Sequence, residues 1–174
     1  MNKLLTLLLA LLLGCKKDNA DPLSQLPPAT QTGANTFGCL VNGQAYTPQG
    51  NNGTDNYVVS YDGVNLNIGT YNYPPDKPGQ NKRTLSLSVG PVTQARTFSL
   101  SLPGTEGTTT YTDRAQASPC DEFGFRGITY RRGTLTLTRL DLQTGIVAGT
   151  FEFTVAKPGC DTIKVTQGRF DYQL

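Results

Sequence analysis

Histidine and tryptophan are missing from the 174 residues, and the only methionine is Met1. Without histidine the chain lacks the commonest general base, the imidazole of Ser-His and Cys-His nucleophile pairs, and the commonest zinc ligand. Charge is sparse and balanced: 15 Lys+Arg against 13 Asp+Glu give a formal +2. That is not the clustered basic face that a nucleic-acid partner requires, so none is expected. Helix formers such as Ala, Glu and Lys are scarce, while Thr occurs 24 times and Tyr and Phe together 15 times. This balance favours strands.

Long apolar runs are absent apart from Leu4 to Leu13, broken only by Thr6. Ten residues are half of the ~20 needed to span a bilayer, and behind Met1-Asn2-Lys3 they fit the core of a secretory signal peptide. Leu12-Leu13-Gly14-Cys15 then resembles a bacterial lipobox. The resemblance implies a lipid on Cys15, removal of residues 1–14, and a mature chain anchored to the membrane without spanning it. Two or more acyl chains, at about 0.8 kcal/mol per buried CH₂, make such attachment stable. Residues 15–35, with Lys16, Lys17, Pro22, Pro27 and Pro28, show no apolar period and read as a flexible tether. Leu, Ile, Val and Phe make up 33 of the 160 residues from Cys15 onward, so the core of the domain will be thin.

From Thr36 to Leu174 apolar and polar residues alternate with period two, and no segment carries a helical period. Phe37, Cys39 and Val41 share a face, as do Tyr57, Val59 and Tyr61, then Val64, Leu66 and Ile68. Leu85, Leu87 and Val89 follow, then Phe98, Leu100 and Leu102, then Leu135 and Leu137. Val147, Phe151, Phe153 and Val155 stand opposite Thr150, Glu152 and Thr154. Asn42-Gly43 and Asp62-Gly63 suit type I′ hairpin turns. Gly168 shifts the phase between Val165 and Phe170, as a bulge does. Tyr71 to Lys82, Gly104 to Gly107 and Ala115 to Gly124 read as surface loops. One apolar face per strand requires two packed sheets or a closed barrel. The expectation is a single all-β domain over 36–174, an antiparallel β-sandwich of nine to eleven strands, with a lipocalin-like barrel as the alternative.

With Cys15 lipidated, Cys39, Cys120 and Cys160 remain, an odd number in a compartment where disulfides persist. Cys160 lies in the turn after the strand that ends near Ala156. If the strand from Thr134 pairs antiparallel with that from Val147, Cys120 approaches the same end of the sheet. A Cys120–Cys160 bridge follows, leaving Cys39 as a small buried hydrophobe. No CxxC pair is present, so no metal or other cofactor is expected.

Among other candidates, Asp113, Asp121, Glu122, Asp141, Glu152 and Asp171 could serve a hydrolase only if two of them converged in a cleft. Solubilising and turn roles explain them more simply. Arg126, Arg131, Arg132 and Arg139 could form an anion patch, but a cross-strand Arg139–Glu152 ion pair is the simpler reading. Tyr71, Tyr73, Tyr111 and Tyr130, near loops, could stack on a glycan.

The segments Thr36 to Gly43, Gly133 to Asp141, Gly149 to Phe153 and Thr162 to Asp171 resemble small Bacteroidota lipoproteins of unknown function. These carry an early Val-Asn-Gly hairpin and a closing pair of strands ending in Gly-Arg-Phe-Asp. Ala148 and Gln167 depart from the usual Ser and Asp. The resemblance implies an all-β domain in the cell envelope and does not point to any particular activity. The resulting expectation is a non-enzymatic, lipid-anchored binding or accessory module, reaching the membrane through Cys15 and meeting an envelope protein or glycan. The alternatives are a barrel carrying a small apolar ligand and a carbohydrate-binding module.

Overall fold

The period-two alternation becomes eleven strands among the described residues, which in the computed structural model are 20–73, 81–102, 106–124 and 126–174. The expected leader over residues 1–14, Cys15, Lys16 and Lys17 lie outside them, as do Pro74, Pro75, Pro78 and Gly104 of the expected loops. Numbered along the chain, six strands form one antiparallel sheet in the order β2 (Gln44–Tyr46), β1 (Thr36–Val41), β11 (Ile163–Gln173), β10 (Ile146–Ala156), β9 (Tyr130–Asp141), β6 (Thr97–Ser99). Five form a second, in the order β3 (Tyr57–Tyr61), β4 (Leu66–Asn72), β5 (Arg83–Val89), β7 (Gly107–Asp113), β8 (Glu122–Phe123). Neither sheet closes on itself, so the fold is the β-sandwich and the lipocalin-like barrel is excluded. The inner faces meet in one cluster of buried side chains that includes Phe37, Leu66, Leu85, Phe98, Leu135, Phe151, Phe153 and Phe170.

The hairpin at Asn42-Gly43 has positive φ at both residues, 48° and 79°, as a type I′ turn requires. Asp62-Gly63 departs from expectation. Only Gly63 has positive φ, and Asp62 Oδ1 accepts the amides of Val64 and Asn65 at 2.8 and 2.6 Å. The carboxylate thus builds a four-residue loop in place of a two-residue turn, and Val64 stands 52% exposed outside the strand. Leu102 likewise lies beyond β6 and is exposed. Tyr71 and Asn72, expected in a loop, finish β4 and are buried, and the loop after Ala115 contains β8.

The bulge in β11 is as expected. Phe151 opposes Gly168 while Phe153 opposes Val165, and Gln167 takes φ 55° to absorb the extra residue. Gly168 lies beneath the Phe151 ring, where a Cβ would come 2.5 Å from ring carbons. Gly149 lies similarly beneath Phe170, at 2.8 Å. Each aromatic ring covers the bare backbone of its neighbour strand, which keeps a thin core filled.

Residues 20–35 depart most from expectation. They form a strap docked on the outer face of the six-stranded sheet rather than a flexible tether through Asn35. A 3-10 turn over Pro22–Gln25 is capped by Asp21, whose Oδ1 accepts the Leu23 amide. Leu26 is buried, and Pro27 lies against Gly38 so closely that a Cβ there would sit 2.7 Å from it. The guanidinium of Arg169 donates to Pro27 O, and that of Arg139 to Gln31 O. Beneath the strap Asp171 is 1% exposed and accepts from Thr30 Oγ1 (2.7 Å), Thr32 N (2.8 Å) and Gly33 N (2.8 Å). Polar bonds to one carboxylate hold this segment, so the absence of an apolar period did not leave it loose.

Candidate functional site

Side chains that face away from the core pattern the outer surface of the six-stranded sheet. Arg132 on β9 opposes Thr154 on β10, which opposes Lys164 on β11. The next row sets Ser99 opposite Thr134 and Thr134 opposite Glu152, and the next sets Thr97, Thr136, Thr150 and Arg169 in line. Two strand spacings place the Arg132 and Lys164 backbones about 10 Å apart. Between these rows runs an open trough. One hollow of about 700 Å³ is lined by Ser99, Ser101, Tyr130, Arg132, Glu152 and Lys164, among others. A second of about 440 Å³ continues it past Thr136, Thr150 and Arg169 to Ala29, so the strap forms its end wall. Thr134 and Glu152 line both.

Three arginines away from the trough are held in ion pairs. Arg96 pairs with Glu106 at 2.8 Å, Arg114 with Asp121 at 2.7 Å, and Arg139 with Asp141 at 2.9 Å. Arg131 is buried, donating to Leu100 O and Gly107 O, and burial draws its guanidinium pKa below the ordinary value. The side chains of Arg132, Glu152 and Lys164 are exposed and make no hydrogen bond or ion pair among the described residues. Tyr130, 47% exposed, stands at the end of the trough. The arrangement offers hydroxyls that both donate and accept, two unpartnered cations, one carboxylate and one aromatic ring, all held on paired strands.

The carboxylates considered for hydrolysis are dispersed. Asp113 Oδ1 accepts the Ala115 amide, Asp121 holds Arg114, and Asp171 holds the strap. Asp141 accepts from Arg139, from Gln143 N and from Thr144 N, and the Arg139 bond leads in holding its carboxyl far below the usual range. Among the described residues no three His, Cys, Asp or Glu gather to hold a metal ion. The expected Arg139–Glu152 pair does not form. The β9–β10 register sets Arg139 opposite Ala148 and Glu152 opposite Thr134. Nor do the four arginines make one patch, because adjacent Arg131 and Arg132 point to opposite faces of β9. Of the four tyrosines, Tyr71 and Tyr111 are buried and Tyr73 packs edge-on against Tyr71 at 5.5 Å, which leaves Tyr130 available.

The Cys120–Cys160 bridge is present and joins the loop before β8 in one sheet to the β10–β11 turn in the other. Lys157 reinforces that junction through Pro119 O at 2.7 Å and Glu122 O at 3.2 Å. Tyr130 opposes Ala156, one residue before Lys157, so the bridge braces the end of the trough where the ring stands. Cys39 is free and fully buried, and burial pushes its thiol pKa far up, out of the nucleophilic range. Reasoning from sequence missed Lys164, Arg169 and the threonine rows. Their signal was the polar half of the same alternation that located the core.

Compared with protein-family models, curated proteins and solved structures, the chain matches none of them.

Proposed function

We propose that this is a lipid-anchored, non-enzymatic binding module of the bacterial cell envelope, in the outer membrane, and that it holds a polyhydroxylated, acid-bearing glycan in the trough. The anchoring part rests on the lipobox at Leu12 to Cys15 and on the resemblance to Bacteroidota lipoproteins. The binding part is carried by one observation. Arg132, Glu152 and Lys164 stand unpartnered on a single strand-built face beside the exposed Tyr130. Sugar hydroxyls suit the Ser and Thr rows, sugar carboxylates suit Arg132 and Lys164, and a sugar ring can stack on Tyr130.

Affinity electrophoresis in gels containing alginate, an acidic polysaccharide, or dextran, a neutral one, tests the binding part. Retardation is expected in alginate. Both Tyr130→Ala and the paired change Arg132→Ala with Lys164→Ala should weaken it at least about tenfold, equivalent to ~1.4 kcal/mol. A pair of charge removals off this face, Lys82→Ala with Arg126→Ala, should leave it intact. Unretarded wild-type protein refutes the reading, as does an equal loss from the off-face pair.

A further inference from the structure

We infer that the β2 edge of the six-stranded sheet, together with the 3-10 turn Pro22–Gln25 that packs against β2, is the surface set against the lipid headgroups. The inference rests on the acylation of Cys15 proposed above and adds the orientation of the domain on the bilayer.

Chain length carries the argument. Five residue steps separate Cys15 from Ala20, where the described chain begins, and five steps reach at most ~18 Å. An undocked chain from Cys15 to Thr36 would reach ~70 Å and would leave the domain free to turn. Docking of the strap through Leu26, Pro27, Gln31 and the Asp171 bonds removes that freedom. Ala20 therefore stays within ~18 Å of the anchored sulfur, and with it the β2 edge. The opposite edge, β6, lies five strand spacings away, about 24 Å farther out. The trough, which spans β6, β9, β10 and β11, then opens sideways above the membrane and not into it.

The chemistry of the edge fits a headgroup surface. Residues 22–35 carry no charged side chain, and Asp21 is turned onto the Leu23 amide. The exposed residues of the β1–β2 turn and β2 start, Asn42, Gly43 and Gln44, are neutral, so anionic headgroups meet no carboxylate repulsion from them. Leu23, 41% exposed on the 3-10 turn, supplies an apolar contact at the interface.

The test uses the full chain, acylated in cells and reconstituted into vesicles of phosphatidylethanolamine and phosphatidylglycerol. A donor dye is placed through Gln25→Cys or Gln94→Cys, and an acceptor is carried on the lipid headgroups. Transfer from position 25 should exceed that from 94 about twofold or more, given ~24 Å across five strand spacings. A Gly-Ser insert of about twelve residues between Asn19 and Ala20 should lower transfer at position 25 and bring the two sites together. Acylated protein that shows equal transfer from both sites, or no response to the insert, overturns the orientation alone. A mass spectrum with no acyl group on Cys15 overturns the anchoring and the orientation with it.

Discussion

Replacing Asp171 by Asn changes one atom beneath the strap, and the structure sets the size of the effect. Oδ1 accepts Gly33 N, and Oδ2 accepts Thr30 Oγ1 and Thr32 N, with Thr32 Oγ1 farther off at 3.4 Å. An amide has one acceptor oxygen, so in either orientation its NH₂ confronts a backbone N–H, of Gly33 or of Thr32. One buried donor left without a partner costs about 1–3 kcal/mol, and each bond that loses its charged acceptor weakens by about 1 kcal/mol. The sum is about 2–5 kcal/mol, a large part of the ~5–15 kcal/mol that stabilises a domain. At about 2–4 °C per kcal/mol for a chain of this size, calorimetry should show Tm lowered by ~10 °C. If the strap lets go before the sandwich does, Tm falls less and the amides of Thr32 and Gly33 lose hydrogen-exchange protection. A variant with both wild-type Tm and wild-type protection at Thr32 and Gly33 refutes the clamp.

Acid should act on the same contact. Burial alone would raise the Asp171 pKa, but the Thr32, Thr30, Gly33 and Ala34 donors outweigh it and hold the carboxyl below its ordinary value. A depressed carboxyl contributes stability that is present above the unfolded value near ~4 and lost as pH falls through the folded value. Melting temperature should therefore hold at neutral pH and fall below about pH 4, and Asp171→Asn should flatten that fall; equal acid sensitivity in both proteins would count against it. Reduction of the disulfide, or Cys160→Ser, should destabilise the domain by about 4 kcal/mol from the 40-residue separation, measured by urea unfolding with and without reductant. Gly168→Ala, which drives a Cβ into the Phe151 ring, should cost about 1–3 kcal/mol by chemical denaturation. Gly69→Ala, whose Cβ meets nothing within 4 Å, should be neutral or stabilising by up to ~1 kcal/mol. The Cys39 thiol should ignore an aromatic disulfide reagent in the native protein and react fully in denaturant.

Strands were legible wherever the apolar half of the period was filled. Leu85, Leu87 and Val89, or Phe151, Phe153 and Val155, name their own inner face. β7 was not legible, because Gly107 to Asp113 places only Tyr111 and the hydroxyl-bearing Thr109 on the inner face. The disulfide was legible because a hairpin's antiparallel sense fixes which strand ends meet. The trough was legible only in fragments: Tyr130, Arg132 and Glu152 drew notice singly, and their neighbourhood with Lys164 and Arg169 depends on β11 pairing with β10.

By itself the sequence determined local matters: two-residue periodicity, the absence of imidazole chemistry, the Asn-Gly turn and the bulge near Gly168. These follow from steric and hydrophobic preferences that act within a few residues. Tertiary structure decided what depends on distant segments meeting. It placed residues 20–35 on Asp171, about 140 positions along the chain, and so converted an apparent leash into a clamp. It opened the two sheets rather than closing a barrel, since period-two alternation satisfies either architecture. It also separated Arg139 from Glu152, because the hairpin register, not charge, sets which residues stand opposite. Strand order and register are collective properties of the whole chain, and no local window contains them.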